Sequence, residues 1–193
     1  MRLKSLTRSF TLDDETGKVQ AAMRRILLAL LALFVIGISA PAQNKTFTRD
    51  GIEYALDLPS PAWRAVARVD VHKHFEFING DDDSNGYLRL RKKLVAPGTR
   101  AENIFTEDEK WEFRRLPGYV ACSSGKGTDF TGRLSGTVFS YEYLDGANAM
   151  DGRIYYLQVD NRTFYVLHFT VASQKLRGFR EQMDSIARSF RLK

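Results

Sequence analysis

The chain has 193 residues, with 29 Lys and Arg against 23 Asp and Glu, and a formal net charge of +6. Its one cysteine, Cys122, excludes an intramolecular disulfide. The 151 residues after position 42 carry 23 basic and 20 acidic residues. This charge of +3 gives little support for a polyanionic partner, and we expect no nucleic-acid binding. The same 151 residues are enough for one domain with its own core.

The segment from residue 23 to residue 43 has the pattern of a secretory signal peptide. Two arginines precede an apolar run from Ile26 to Ile38, and residues 40–42 have the small-x-small pattern of a signal-peptidase site. The run has 13 residues, whereas a helix needs about 20 to span a bilayer. We therefore predict cleavage after Ala42 and a secreted or periplasmic protein. If the segment is not cleaved, it is the membrane attachment of the chain.

This interpretation divides the chain into three parts. Residues 1–22 form an N-terminal extension that precedes a natural start at Met23, and they are either a mis-assigned start or a cytoplasmic tail. Residues 23–42 are the signal peptide. Residues 43–193 are a single domain.

Strand patterns dominate the first half of this domain. Apolar residues alternate from Ile52 to Leu58, which predicts a half-buried strand. The turn signal Asp50-Gly51 predicts a hairpin that pairs it with a short strand around Phe47. Residues 63–71 have an extended pattern. A further hairpin is predicted from strands at 72–79 and 87–95, joined by an acidic turn.

The strand at 87–95 alternates between apolar and basic side chains. This alternation predicts one buried face and one wet face. The basic face can attract an envelope protein with an acidic surface, an anionic lipid or a polysaccharide. The alternative is a solvated row whose charges blunt an edge strand. The candidate partner-binding residues are Tyr87, Arg89, Arg91 and Lys93.

The strand before the acidic turn contains a candidate metal site. His72, His74 and Glu76 alternate along it, so two imidazoles and a carboxylate share one face and can converge on a metal ion. This pattern gives an alternative function, a metal-binding protein or a metal-dependent enzyme. The other interpretation is the solvated face of an amphipathic strand.

The acidic turn matches the first half of a calcium loop. Asp81, Asp83 and Asn85 occupy the alternate positions that supply oxygen ligands. The second half does not match, because Lys92 stands where a bidentate glutamate closes the loop. The alternative is the polar tip of a hairpin, and we predict no cofactor.

The second half of the chain predicts a helix, a series of strands and a closing helix. Thr99 and Glu102 fit a capping box, which starts a helix that continues to about Arg115. Its predicted apolar stripe is interrupted by Asp108 and Glu112 and consists of Ala101, Ile104, Phe105 and Trp111. Strands are predicted at 119–123, 129–134, 137–144, 153–159 and 163–172. Ser173 is the predicted N-cap of the closing helix. The apolar stripe of that helix is Leu176, Phe179, Met183, Ile186 and Phe190.

Hairpin-length connections between these strands predict an α+β fold, an antiparallel sheet with packed helices. The last unit, GRIYYLQVDNRTFYVLHFTVASQKLRGFREQMDSIARSFRL, resembles the carboxy-terminal part of PsbP-like proteins. It has two apolar-aromatic strands around a polar turn, then a helix and a closing SFRL. The opening DGIEYALDLPSPAW is similar to the first hairpin of that superfamily.

The resemblance implies a PsbP-like sandwich and a non-enzymatic role. Known members include extrinsic photosystem II subunits, a nuclear-import factor that binds a small GTPase, and bacterial envelope proteins. The resemblance transfers no defined set of functional residues. The chain also has no nucleophile motif such as G-x-S-x-G. We therefore predict an exported, monomeric binding or accessory domain that is not an enzyme.

Amino-terminal sequencing of the protein that accumulates in cells tests the predicted cleavage. We expect the first residue to be Gln43, because the apolar run is short for a membrane anchor and a cleavage motif follows it. The same protein in a cell-free translation without membranes should keep its leader. A cellular protein that begins at Met1 or Met23 would contradict cleavage and favour a membrane-anchored domain.

Overall fold

The computed structural model describes residues 44–66, 75–81, 86–122 and 126–193. Two α-helices are described, α1 (Ala101–Trp111) and α2 (Leu176–Ser189), together with 3₁₀ turns at Phe113–Arg115 and Ser173–Lys175. The first five strands are β1 (Lys45–Phe47), β2 (Tyr54–Leu58), β3 (Trp63–Val66), β4 (Glu76–Asn79) and β5 (Tyr87–Leu94). The later strands are β6 (Val120–Ala121), β7 (Thr128–Thr131), β8 (Ser135–Asp145), β9 (Asn148–Gln158), β10 (Thr163–Ala172) and β11 (Arg191–Leu192). Neither helix is long and apolar enough to cross a membrane.

The strands form two antiparallel sheets. The small sheet has the order β1-β2-β11, and the large sheet has the order β3-β4-β5-β10-β9-β8-β6. β7 also pairs with β8, using residues beyond those that pair with β6. Every pairing is antiparallel, and both helices pack against strands, so the predicted α+β class is confirmed.

The central strand β10 supplies side chains to two separate cores. Leu167 and Phe169 are fully buried on the face that α2 covers. Phe164 and Val166 are buried on the opposite face, beneath α1. Successive side chains of a strand point to opposite faces, so a continuous apolar run indicates a strand that is covered on both sides. The large sheet therefore lies between two layers.

The core between α2 and the sheets confirms the predicted stripe of the closing helix. Met183, Ile186 and Phe190 are fully buried there, and Leu176 and Phe179 pack against the same core. The predicted start of the helix is wrong, because Ser173 begins a 3₁₀ turn and α2 starts three residues later. The apolar spacing predicts which face of α2 is buried, but it does not predict the residue at which the helix begins.

The core beneath α1 shows two departures from the predicted helix. Thr99 is not its N-cap, since the Thr99 hydroxyl donates a hydrogen bond to the carbonyl of Ala96, and Arg100 takes the cap position without a side-chain bond. Trp111 is 54% exposed, although the apolar pattern places it on the buried stripe. Phe105 is buried as expected, and its ring stacks on Phe139 at 4.1 Å between centroids.

Truncation of α2 tests whether its stripe holds the fold together. We expect Met183→Ala to lower the free energy of unfolding by about 2–5 kcal/mol, because it leaves a cavity in a fully buried site. Arg180→Ala on the exposed side of the same helix should change it by less than about 0.5 kcal/mol. Urea denaturation followed by circular dichroism measures both. Equal losses for the two variants would contradict the packing described for this helix.

Candidate functional site

The predicted wet face of β5 is covered over half its length. β5 is not an edge strand, because it pairs with β4 on one side and with β10 on the other. The side chains of Arg91 and Lys93 are only 16% and 25% exposed, since α1 lies over them. The prediction that these two residues are exposed to solvent is wrong. Arg89 lies beyond the end of α1 and remains exposed.

Arg91 forms an ion pair with the end of α1. Its Nη1 donates a hydrogen bond to Oε1 of Glu112 at 2.7 Å. Burial by itself raises the pKa of Glu112, but the hydrogen bond and charge of Arg91 outweigh this effect and hold the pKa below its usual range. The Nε and Nη2 atoms of Arg91 are buried without a partner in the described part of the chain. Arg91 is therefore held inside the fold and is not presented at the surface.

Lys93 belongs to a second internal cluster under α1. Its ammonium group contacts one carboxylate oxygen of Asp108, and the Tyr156 hydroxyl donates to the other oxygen at 2.8 Å. Asp108 is only 4% exposed. Burial raises the pKa of Tyr156 well above its usual value, and the Asp108 charge adds to this effect. The three groups satisfy one another, as buried polar groups generally must.

His168 of β10 lies beside the Arg91 pair. Its Nε2 is 2.7 Å from the Tyr141 hydroxyl, and the Phe113 ring packs on it edge-on at 5.5 Å. Desolvation and, to a smaller extent, the charge of Arg91 lower the pKa of His168 to about 3. The imidazole is therefore neutral at pH 7, and it shares a hydrogen bond with the Tyr141 hydroxyl.

Arg89 and Tyr87 occupy the part of this face that α1 leaves open. Arg89 lies opposite Glu76 of β4 on one side and opposite His168 of β10 on the other. It makes no hydrogen bond or ion pair with any residue that the structure describes. Tyr87 shares its face and is half-buried. Of the predicted basic row, only Arg89 is both exposed and without an ion-pair partner in the described part of the chain.

The end of α1 adds residues that the predicted set of partner-binding residues does not contain. The Trp111 ring has Lys110 Nζ at 4.8 Å and Arg115 Cζ at 5.9 Å from its centroid. Arg114 lies 3.4 Å from Glu109, and its side chain is 66% exposed. The sequence feature that points to these buried contacts is the pair Asp108 and Glu112, two acids four residues apart on the apolar stripe of a helix. Such acids indicate a basic partner on the surface beneath.

Most of the candidate metal ligands lie outside the described residues. These ligands are His72, His74, Asp83 and Asn85. Glu76 is half-buried on β4, and Asp81 is exposed with a carboxylate oxygen 3.7 Å from Arg64. Within the described ranges, no group of three or more His, Cys, Asp or Glu side chains is placed to hold a metal ion. Both metal sites stay predictions.

Comparisons with known proteins identify the fold but not the role. No protein-family model and no curated protein matches the sequence. The cyanobacterial PsbP protein (CyanoP) of Synechocystis sp. PCC 6803 has 11% identity and a TM-score of 0.52, over 82% of this chain and 95% of its own. LpqN of Mycobacterium tuberculosis is a protein involved in cell envelope biogenesis. It has 13% identity and a TM-score of 0.50, over 78% of this chain and 91% of its own.

A structure from Bacteroides thetaiotaomicron VPI-5482 has 14% identity and a TM-score of 0.54, over 78% of this chain and 49% of its own. The chain thus spans about half the length of that protein. Together with the antiparallel topology and the two packed helices, these similarities confirm the predicted PsbP-like fold. At these identities the similarity concerns the fold alone.

The environment of His168 generates a pH dependence of stability. The folded-state pKa of about 3 lies below the usual value of 6.5, so between these values the unfolded state binds more protons. Stability is then complete above about pH 6.5 and falls as the pH decreases, by at most about 1.4 kcal/mol per pH unit. We expect His168→Gln to flatten the stability profile between pH 6.5 and 5, measured by urea denaturation.

Tyr141→Phe is the control for this experiment, because it removes the hydrogen bond but keeps the imidazole. It should lower stability at every pH and leave the slope between pH 6.5 and 5 unchanged. A slope that survives in His168→Gln would contradict a neutral imidazole in the folded protein.

Proposed function

We propose that the protein is an exported, non-catalytic binding domain that recognises an acidic protein of the cell envelope. The proposed contact region is named the Arg89 surface. It consists of Tyr87, Arg89, Trp111, Arg114 and Arg115. The observation that carries the proposal is the exposed guanidinium of Arg89, which has no ion-pair partner among the described residues, whereas the neighbouring cations Arg91 and Lys93 pair with acids of α1.

The contacts of Arg91 support treating these residues as one surface. Arg89 and Arg91 share one face of β5 and are separated by two residues, or about 6.6 Å along the strand. Arg91 bonds Glu112, which directly follows Trp111 and precedes the turn that carries Arg114 and Arg115. The end of α1 therefore lies beside Arg89.

The residue types of the Arg89 surface are those that dominate binding energy at interfaces. Trp, Tyr and Arg are enriched among interface residues whose truncation weakens binding most. Arg115 and Arg89 have no ion-pair partner among the described residues, so each is available to a carboxylate of another protein. A planar guanidinium can bind a carboxylate with two parallel hydrogen bonds.

The internal pairing beneath α1 supports a binding role over catalysis. Arg91 with Glu112, Lys93 with Asp108, and Tyr141 with His168 form contacts within the fold. A catalytic site instead needs a base or nucleophile that faces the substrate. The signal-peptide pattern supports export, and LpqN, which shares the fold, is involved in cell envelope biogenesis.

Affinity purification from the envelope fraction of the host tests the Arg89 surface. The bait is the protein itself, compared with the double variant Arg89→Gln, Arg115→Gln. Glutamine removes both charges without placing a carboxylate opposite Glu76. We expect the proteins enriched on the unmodified bait to fall at least fivefold on the variant, as quantified by mass spectrometry, because two cations at the interface are lost.

The matched control is Arg177→Gln, Arg180→Gln, which changes the net charge equally at exposed positions of α2. It should retain the same proteins as the unmodified bait. Identical recovery on all three baits, or no enrichment above empty resin, would overturn the proposed function. Thermal unfolding of each bait confirms that all three are folded.

A further inference from the structure

A groove of about 500 Å³ lies between β1 and β3, and it is named the β1–β3 groove. These strands belong to different sheets, and each is the outermost strand of its sheet. Among the described residues, β1 pairs only with β2 and β3 only with β4. Within the described ranges, each strand therefore has one edge that no other strand covers, and such an edge can pair with an added strand.

The lining of this groove has an apolar floor and a basic rim. Phe47 and Trp63 contribute aromatic rings, and the basic residues are Lys45, Arg49 and Arg64. None of the residues that line the groove is acidic. Arg64 lies 3.7 Å from the Asp81 carboxylate, whereas Lys45 and Arg49 have no acidic residue beside them in the lining, and such cations attract an acidic ligand.

Two of the three cations are available for such a ligand. Lys45 and Arg49 are exposed and form no ion pair within the described residues. The Arg49 guanidinium lies 5.6 Å from the centroid of the Phe75 ring, so its side chain is positioned by an aromatic contact and not by a carboxylate. Arg64 instead donates to the carbonyl groups of Gly80 and Asp81.

We propose that the β1–β3 groove binds an extended acidic segment of a partner protein, which pairs as an added strand with the free edge of β1. β1 itself has three residues, 45–47, and Thr48 and Arg49 continue the lining beyond its end. A ligand segment that covers this lining needs about five residues, of which about three can pair with β1. Backbone pairing supplies affinity in this mode of recognition, and pockets for alternate side chains supply selectivity.

The geometry also specifies the pattern of the ligand. In an extended segment every second side chain points the same way. Lys45 and Phe47 are two residues apart and share one face of β1, so one set of ligand side chains meets this cation and aromatic ring, and the other set meets the face of Thr46. The segment that fits best therefore carries acidic residues at alternate positions, on the face of Lys45.

The groove is separate from the Arg89 surface. Phe47 packs edge-on against Phe77 at 4.8 Å, and Phe77 belongs to the core on the α2 face of the large sheet. Arg89 is on the opposite face, which α1 partly covers. A partner can occupy either region alone, so the two proposals can fail independently.

A labelled synthetic peptide with the sequence (Val-Glu)₄, blocked at both ends, tests the groove by fluorescence anisotropy. The protein is used in the form that accumulates in cells. We expect saturable binding that weakens about fivefold to tenfold in the variant Lys45→Gln, Arg49→Gln, because two exposed charge contacts are lost. The matched control Arg177→Gln, Arg180→Gln and the variant Arg89→Gln, Arg115→Gln should bind the peptide as the unmodified protein does.

Two further probes separate strand addition from simple charge attraction. The same peptide with alternate backbone nitrogens methylated cannot complete the strand ladder, and we expect it to bind at least tenfold more weakly. Dextran sulfate should compete poorly, since it carries charge without a peptide backbone. Amide NMR shifts on peptide addition should centre on residues 45–49.

Equal binding of the methylated and unmethylated peptides, or shifts that avoid residues 45–49, would overturn the proposal. Strong competition by dextran sulfate would indicate a general site for polyanions and would also overturn it. A full loss of peptide binding in the control variant Arg177→Gln, Arg180→Gln would also overturn the proposal, because these residues of α2 do not line the groove.

Discussion

The position of β10 between β5 and β9 imposes the main constraint on this fold. Its side chains alternate between a core under α2 and a core under α1, so neither face of the sheet centre is open to water. A polar side chain on either face must then find a partner inside the protein, because an unpaired buried charge is strongly destabilising. The neighbouring strand β5 meets this requirement with Arg91 and Lys93, which pair with acids of α1.

This constraint explains why the basic row of β5 divides into two parts with different roles. Where α1 covers the sheet, Lys93 and Arg91 fix the helix to it through Asp108 and Glu112. Where α1 ends, the same alternation leaves Arg89 in solvent without a partner among the described residues. The length of α1 therefore decides which basic residues of β5 pair inside the fold and which remain exposed.

The sequence predicts the local parts of this structure better than the distant contacts. The stripe of α2, the antiparallel strands and the PsbP-like fold follow from periodicity and resemblance, and all are confirmed. The burial of Arg91 could not be predicted from β5 itself. A half-exposed strand and a strand covered by the polar surface of a helix show the same alternation of apolar and polar residues. The deciding contact joins Arg91 to Glu112, 21 residues apart. Thr99 fails as a cap because its hydroxyl bonds to the preceding turn.

A sheet covered on both faces restricts where this domain can recognise another protein. Its central strands are enclosed, so the available backbone groups are at the outer strands, and the available charges lie where a covering element stops. β1 and β3 meet the first condition and surround a groove with basic residues and no acids. The end of α1 meets the second condition beside Arg89. The two regions lie on opposite faces of the large sheet, so a covering layer on one face does not decide whether the other region is accessible.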